Sequence, residues 1–210
     1  PGHLWTADRV RRNMDQSLQR MQTEYVDILQ MHNPSVEEVE QGGLIPVLEE
    51  LKQAGKTRFI GVSSTAPHLM AFAQLGVFDV FQIPYSALQR EHEDIITKAS
   101  DAGIGIIVRG GVARGTPDDW QGRRYYMLPN TTMQNWWEGA KLDDLLDGIS
   151  RIEFMLRFTL SHPGLDTTIV GTRSTKHLDD NIAAAIKGPL PDDVMAEAKN
   201  RLTAAGATSA

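Results

Sequence analysis

The sequence predicts an α/β protein with parallel strands, and three observations carry that prediction. Five short apolar runs with little polar alternation recur along the 210 residues, as strands buried on both faces require. Segments of helical period separate them, several closed by a glycine. Polar or unusual residues gather at the C-terminal tip of run after run: His32 and Asn33, Ser63 and Ser64, Gln82 and Tyr85, Arg109 and Gly110, Thr172 and Arg173. Converging tips favour a (β/α)8 barrel, whose chemistry sits at that mouth. A doubly wound sheet would carry G-x-G-x-x-G directly after an early strand, and that pattern is absent.

Each element has its own justification. In "TADRVRRNMDQSLQRMQ", Val10, Met14, Leu18 and Met21 recur at three- and four-residue spacing behind Thr6 as N-cap, which predicts an amphipathic helix. The strand "YVDILQM" follows. In "GGLIPVLEELKQAGKTRFIGVSS" a helix with Leu48 and Leu51 on its apolar face stops at Gly55 and leads into the strand "RFIGVS". The same unit recurs as "TAPHLMAFAQLG" with "VFDVFQIPYS", and as "HEDIITKASDAG" with "IGIIVRG". After a longer interval rich in Trp, Tyr and Pro, "ISRIEFMLRFTLSHPG" leads into "LDTTIVGT". The helix "STKHLDDNIAAAIKG" closes the series, with Gly188 and Pro189 behind it.

Composition bounds the function. With 41% hydrophobic and 23% charged residues the chain is an ordinary globular protein, expected to form a single domain over residues 1–210 with a flexible tail at 203–210. Asp and Glu outnumber Lys and Arg by 27 to 21 and the basic residues are scattered, which argues against nucleic acid as a partner. The apolar runs are too short for a membrane span. There is no cysteine, which excludes disulfides and thiolate metal sites and suits the cytoplasm. His3, His68, His92 and His162 show no metal-ligand spacing.

A barrel needs eight strands and the sequence offers five, leaving two edges unpaired, a hazard for aggregation. The start "PGHLWTADRV" has neither an initiator Met nor a signal-peptide pattern. The expectation is therefore an incomplete barrel, completed by an upstream segment of about one hundred residues from the same gene or from a second chain.

Three segments, "YVDILQMHNP", "GKTRFIGVSS" and above all "TTIVGTRSTKHLDDNIAAA", resemble the aldo-keto reductases, (β/α)8 enzymes that reduce aldehydes and ketones with NADPH. The resemblance runs from about Thr6 to about Leu202 and implies that this chain supplies strands 4 to 8 of such a barrel. It places His32 beside the reacting carbonyl, orienting its oxygen and assisting the proton delivered there; a hydrogen-bonded rim histidine is the plainer alternative. It assigns Ser63 and Gln82 to the nicotinamide carboxamide, with Ser64 where many members have asparagine.

Arg109 stands where many relatives stack a tyrosine on the nicotinamide, a task a planar guanidinium also performs. A solvated rim arginine is the alternative. "RGGVARG" resembles the loop along the pyrophosphate, where Gly110 and Gly111 permit close backbone approach and Arg114 supplies charge. In "GTRSTKHLDDN", Gly171 and Thr172 end a strand and Ser174 caps a helix whose N-terminus suits a 2′-phosphate, with Arg173 as the charged contact and Lys176 or His177 as auxiliaries. Asp180 and Asn181 are implied to hold the adenine; a capped surface helix is the plain reading of the same letters. Trp136 and Trp137, in the same long connection as Met127, are expected to line a carbonyl pocket, or else to pack an inserted helix.

The family's proton donor is a tyrosine after the second strand, tuned by a lysine with an aspartate nearby. None of Tyr25, Tyr85, Tyr125 and Tyr126 stands in that context. The resemblance thus implies an NADPH-dependent reductase acting on small carbonyl substrates, of which this chain alone is expected to be inactive. The rival is a regulatory NADPH-binding homologue that lacks the donor. A barrel lyase using a Schiff-base lysine or a metal is a further rival, with no such residue visible at these tips. The number of subunits is left open.

Overall fold

The computed structural model describes residues 5–118 and 129–209. Five strands alternate with helices, and the chain divides into two compact units: Pro1–Ile83 with Asp101–Ile106, and Pro84–Ser100 with Ile107–Ala210.

The first unit carries β1 (Val26–His32), β2 (Thr57–Ser63) and β3 (Val80–Pro84), neighbours in chain order and parallel throughout. Its helices are α1 (Ala7–Met21), α2 (Val36–Gln41), α3 (Leu44–Gln53) and α4 (His68–Leu75). Val10, Met14 and Leu18 of α1 and Val47, Leu48 and Leu51 of α3 are buried, as the periodicity predicts, while Met21 is exposed. Thr6 occupies the N-cap position but its side chain makes no capping bond. Met31, Ile60, Val62 and Phe81 complete this core, each burial contributing about 1.5–3 kcal/mol. Gly55 and Gly76 follow α3 and α4 with φ of 72° and 67°, the left-handed turn that stops a helix. The short α2 was not foreseen. Its start is a reciprocal cap, in which Glu38 N–H donates to Ser35 Oγ at 3.0 Å and Ser35 N–H to Glu38 Oε2 at 2.8 Å.

In the second unit Ile107, Val108 and Arg109 of β4 (Gly105–Arg109) pair in parallel with β5 (Thr167–Ile169). Its helices are α5 (Glu93–Asp101), α6 (Asn130–Gly139), α7 (Arg151–Leu160), α8 (Thr175–Lys187) and α9 (Asp192–Ala204). Ser150 caps α7, accepting from Glu153 N–H at 3.1 Å. Tyr85, Phe154, Phe158 and Trp137 form the aromatic core. The unforeseen α9 buries Met195, Ala198 and Leu202.

The tail expected from residue 203 is packed further than that. Thr203 and Ala204 close α9, Ala207 is 2% exposed, and the buried Arg90 guanidinium donates to Ala207 O at 3.2 Å and Thr203 Oγ1 at 3.1 Å. A charged donor capturing these oxygens explains the order beyond the helix. No helix among the described residues is long and apolar enough to cross a membrane.

Candidate active site and cofactor-binding residues

The apolar run of β1 ends where parallel pairing sets three polar residues abreast. His32 lies opposite Ser63, and Ser63 opposite Gln82, at the C-terminal ends of β1, β2 and β3. Paired residues of neighbouring strands share a face, so the three side chains issue from one side of the sheet. The row behind it is Met31, Val62 and Phe81, which turn to the other side and are buried. Asn33 follows with φ of 48° and donates its N–H to Ser63 O at 2.8 Å, ending the strand before Pro34.

His32 is exposed and Gln82 half-buried, whereas Ser63 and Ser64 are buried at 3% and 2% exposure. Gln82 Nε2 donates to Ser63 Oγ at 3.3 Å. That bond commits a lone pair of the hydroxyl and leaves its proton to be donated, beside the Gln82 carbonyl oxygen as an acceptor. A donor next to an acceptor complements a carboxamide. Ser64 contributes its backbone here, donating N–H to Gln82 O at 3.3 Å.

In the second unit Arg109 ends β4 half-buried, and its Nε is buried with no hydrogen-bond acceptor among the described residues. A solvated rim arginine would keep that atom in water; a polar atom left unpaired costs about 1–3 kcal/mol. The loop after it holds Gly110 at φ 74°, Ala113 at 44°, Arg114 at 59° and Gly115 at 80°. Left-handed backbone at two non-glycine residues is strain of the kind concentrated at binding sites. Gly111 needs its lack of side chain for space: a Cβ would lie 3.0 Å from Thr159 Cγ2 and 3.1 Å from Thr168 Oγ1. Thr159 Oγ1 donates to Gly111 O at 2.9 Å, a bond that no spacing in the sequence announces.

After β5, Gly171, Thr172 and Arg173 are exposed. Thr172 Oγ1 accepts from Ser174 N–H at 3.1 Å, and Ser174 Oγ caps α8 by accepting from His177 N–H at 3.3 Å. The remaining first-turn amides and the positive end of the helix dipole lie beside the Arg173 guanidinium in sequence, a donor set suited to an anion. Lys176 Nζ pairs with Asp180 Oδ2 at 2.6 Å, both exposed, a contact weak enough to exchange for a ligand. Asn181 follows, half-buried.

The two tryptophans stand elsewhere in this unit. Trp137 is 1% exposed, donates Nε1–H to Asp143 Oδ1 at 3.1 Å, and meets Phe154 edge-on at 6.0 Å. The Arg151 guanidinium covers its ring at 5.7 Å. The ring is thus packed between Phe154 and Arg151. Trp136 lies half-buried against Gly206. His3, Tyr125, Tyr126 and Met127 fall outside the described residues.

Tyr85 is fully buried against Phe158 and His162, and burial pushes its hydroxyl pKa far above the ordinary phenol value. Tyr25 is exposed just before β1 starts. Neither ring stands in the row of His32, Ser63 and Gln82. A cavity of about 180 Å³ is lined by Trp5, Val10, Asn13, Met14, Leu29, Gln30, Met31 and Leu48, none of them a residue assigned to the site. No group of three or more metal-ligating side chains occurs among the described residues.

The family model described as "Aldo/keto reductase family" matches residues 3–201. L-galactose dehydrogenase of Arabidopsis thaliana is 27% identical over 191 residues, covering 87% of this chain and 60% of that protein. The NADH-specific methylglyoxal reductase of Escherichia coli (strain K12) is 26% identical over 197 residues, covering 85% of this chain and 60% of that protein. The chain thus spans 60% of the length of each of these two curated relatives. A solved aldo-keto reductase from Bacillus halodurans superimposes with a TM-score of 0.80 at 24% identity, over 98% of this chain and 69% of that one, a likeness of fold.

Proposed function

The chain belongs to the aldo/keto reductase family, and from that membership we propose that it serves the NADPH-dependent reduction of aldehydes or ketones to alcohols. The observation that carries this reading is the transverse row of His32, Ser63 and Gln82 at the ends of three parallel strands. Strand ends are where enzymes of parallel β/α architecture place their chemistry, and the (β/α)8 barrel belongs to the same proposal.

When bound, NADPH supplies the hydride. In the first unit the Ser63 hydroxyl donates to the carboxamide oxygen of the nicotinamide, and Gln82 accepts from the carboxamide nitrogen, with Ser64 bracing Gln82 through its backbone. His32 holds the substrate carbonyl oxygen by a hydrogen bond and assists the proton that arrives there. In the second unit Arg109 would meet the cofactor, offering its buried Nε–H to a ligand oxygen. Gly110 and Gly111 admit the pyrophosphate close to the backbone, with Arg114 adding charge. Gly171 and Thr172 lead the chain to Arg173, which, with the capped start of α8, takes the 2′-phosphate; Lys176 and His177 assist, and Asp180 and Asn181 hold the adenine. The absence of cysteine supports a cytoplasmic setting.

One observation favours a second reading. Tyr85 is buried with its proton tightly held and Tyr25 lies before β1, so neither of these tyrosines is placed as a proton donor. A cofactor-binding homologue without turnover would have this composition. The deciding experiment uses the full-length gene product: NADPH binding by fluorescence, and turnover of an aromatic aldehyde. Binding with turnover supports the reductase, binding without turnover the second reading, and absence of NADPH binding overturns both.

A further inference from the structure

Thr159 is a threonine inside a helix, where the hydroxyl ordinarily bonds a carbonyl of the preceding turn. Its hydroxyl instead leaves α7 and donates to Gly111 O at 2.9 Å, and the residue is 0% exposed. Thr168 of β5 flanks the same glycine, its hydroxyl donating to Val108 O at 3.2 Å. The two threonines crowd Gly111 so closely that a Cβ there would lie 3.0 to 3.2 Å from three of their atoms. Other carbonyls of the loop are taken as well: Gly110 O accepts from Ala113 N–H at 2.8 Å, and Ala113 O from Thr116 Oγ1 at 2.5 Å. With the oxygen ends of these peptides engaged by protein donors, an anion approaching the loop is not met by their lone pairs.

We propose that Thr159 is a positioning residue for cofactor binding: its buried hydroxyl anchors the Gly111 carbonyl and so fixes the peptide orientation of the loop that receives the pyrophosphate. This rests on the proposed role of Gly110 and Gly111. Thr159 touches no ligand; it acts through the glycine.

The test uses Thr159→Val in the full-length gene product, since valine keeps the branched shape and removes only the hydroxyl. The expected result is NADPH affinity weakened about tenfold, the effect of leaving a buried carbonyl unpaired. KM for NADPH rises while kcat at saturating NADPH holds. Adenosine 2′-monophosphate, which has no pyrophosphate, binds both proteins equally when measured by competition. Thr159→Ser restores NADPH affinity. Should the valine variant fail to fold, Gly111→Ala displaces the same loop and is expected to show the same selective loss. Wild-type binding of NADPH with no change in the valine variant, equal weakening of both ligands, or no rescue by serine overturns the proposal alone. A wild-type protein that binds no NADPH overturns the cofactor reading and this proposal with it.

Discussion

His32 and Ser63 stand directly opposite one another at the ends of β1 and β2, one imidazole exposed and one hydroxyl buried. Under the proposed reading their tasks are separable. His32→Ala should lower kcat/KM for an aromatic aldehyde by roughly 10²- to 10⁴-fold, the range of a lost acid-base contribution, with NADPH affinity unchanged. Steady-state kinetics and a fluorescence titration on the same preparation check both halves. Parallel loss of affinity would place His32 among the cofactor contacts instead.

Arg173 precedes the capped start of α8 and is exposed. Arg173→Ala should weaken NADPH by about 10- to 100-fold, the loss of a charge-assisted hydrogen bond, and leave NADH nearly unchanged. Dissociation constants for the two cofactors give the ratio. A ratio that stays constant would remove the 2′-phosphate from this position.

Glu93 is 8% exposed and Arg90 6%, with Arg90 Nε donating to Glu93 Oε2 at 2.9 Å and Lys199 on the other carboxylate oxygen. Burial alone would raise the Glu93 pKa, but the Lys199 and Arg90 charges outweigh it and hold the carboxyl below its ordinary value. A lowered folded-state pKa contributes stability that is present above the unfolded value of about 4.3 and is lost as pH falls through the folded one. Glu93→Gln should therefore cost about 3–5 kcal/mol at neutral pH and flatten the dependence below about pH 4. Thermal melts from acid to neutral pH report both.

His162 is pinned from two sides. Gly164 N–H donates to its Nδ1 at 3.1 Å, so Nε2 carries the proton and donates to Glu93 O at 3.2 Å. Burial lowers its pKa, with Lys199 acting the same way and the Glu93 carbonyl and charge opposing. The unfolded chain accepts a proton near pH 6.5 and the folded one resists, so stability is full above about 6.5 and declines as pH falls toward the folded pKa. Burial lowers the pKa of His92 too, so wild type alone mixes the two. The difference in Tm between wild type and His162→Asn, followed from about pH 7.5 to 5, should shrink as the solution is acidified. A constant difference would remove His162 from the acid response.

The alternation of strand and helix was legible because its punctuation is local: Gly55, Gly76 and Gly103 sit at positive φ behind their helices. The end of β1 at His32 was legible because a polar residue at the end of an apolar run breaks a pattern. The cap of α2 was also written in the letters, as Ser35 with Glu38 three residues on, but a six-residue helix has too little periodicity to draw attention to it. In α9 the buried face includes Ala198, whose small side chain mutes the apolar rhythm. Trp137 showed its size and not its surroundings, since Phe154 and Arg151 cover it from another helix. Thr159 was beyond reach: its partner lies 48 residues away, and only the folded chain joins them.

The residues of the polar row and those of the apolar row alternate along the strands, so each strand carries two messages read from opposite sides. Under the proposed reading, substitutions at one parity act on binding and turnover while those at the other act on the fold, so the two effects can be separated residue by residue. Inserting a single residue before the end of β2 would exchange the two messages, sending a valine to the side of His32 and Gln82 and a serine to the side of Met31 and Phe81. Natural variation here should accordingly be poor in length changes.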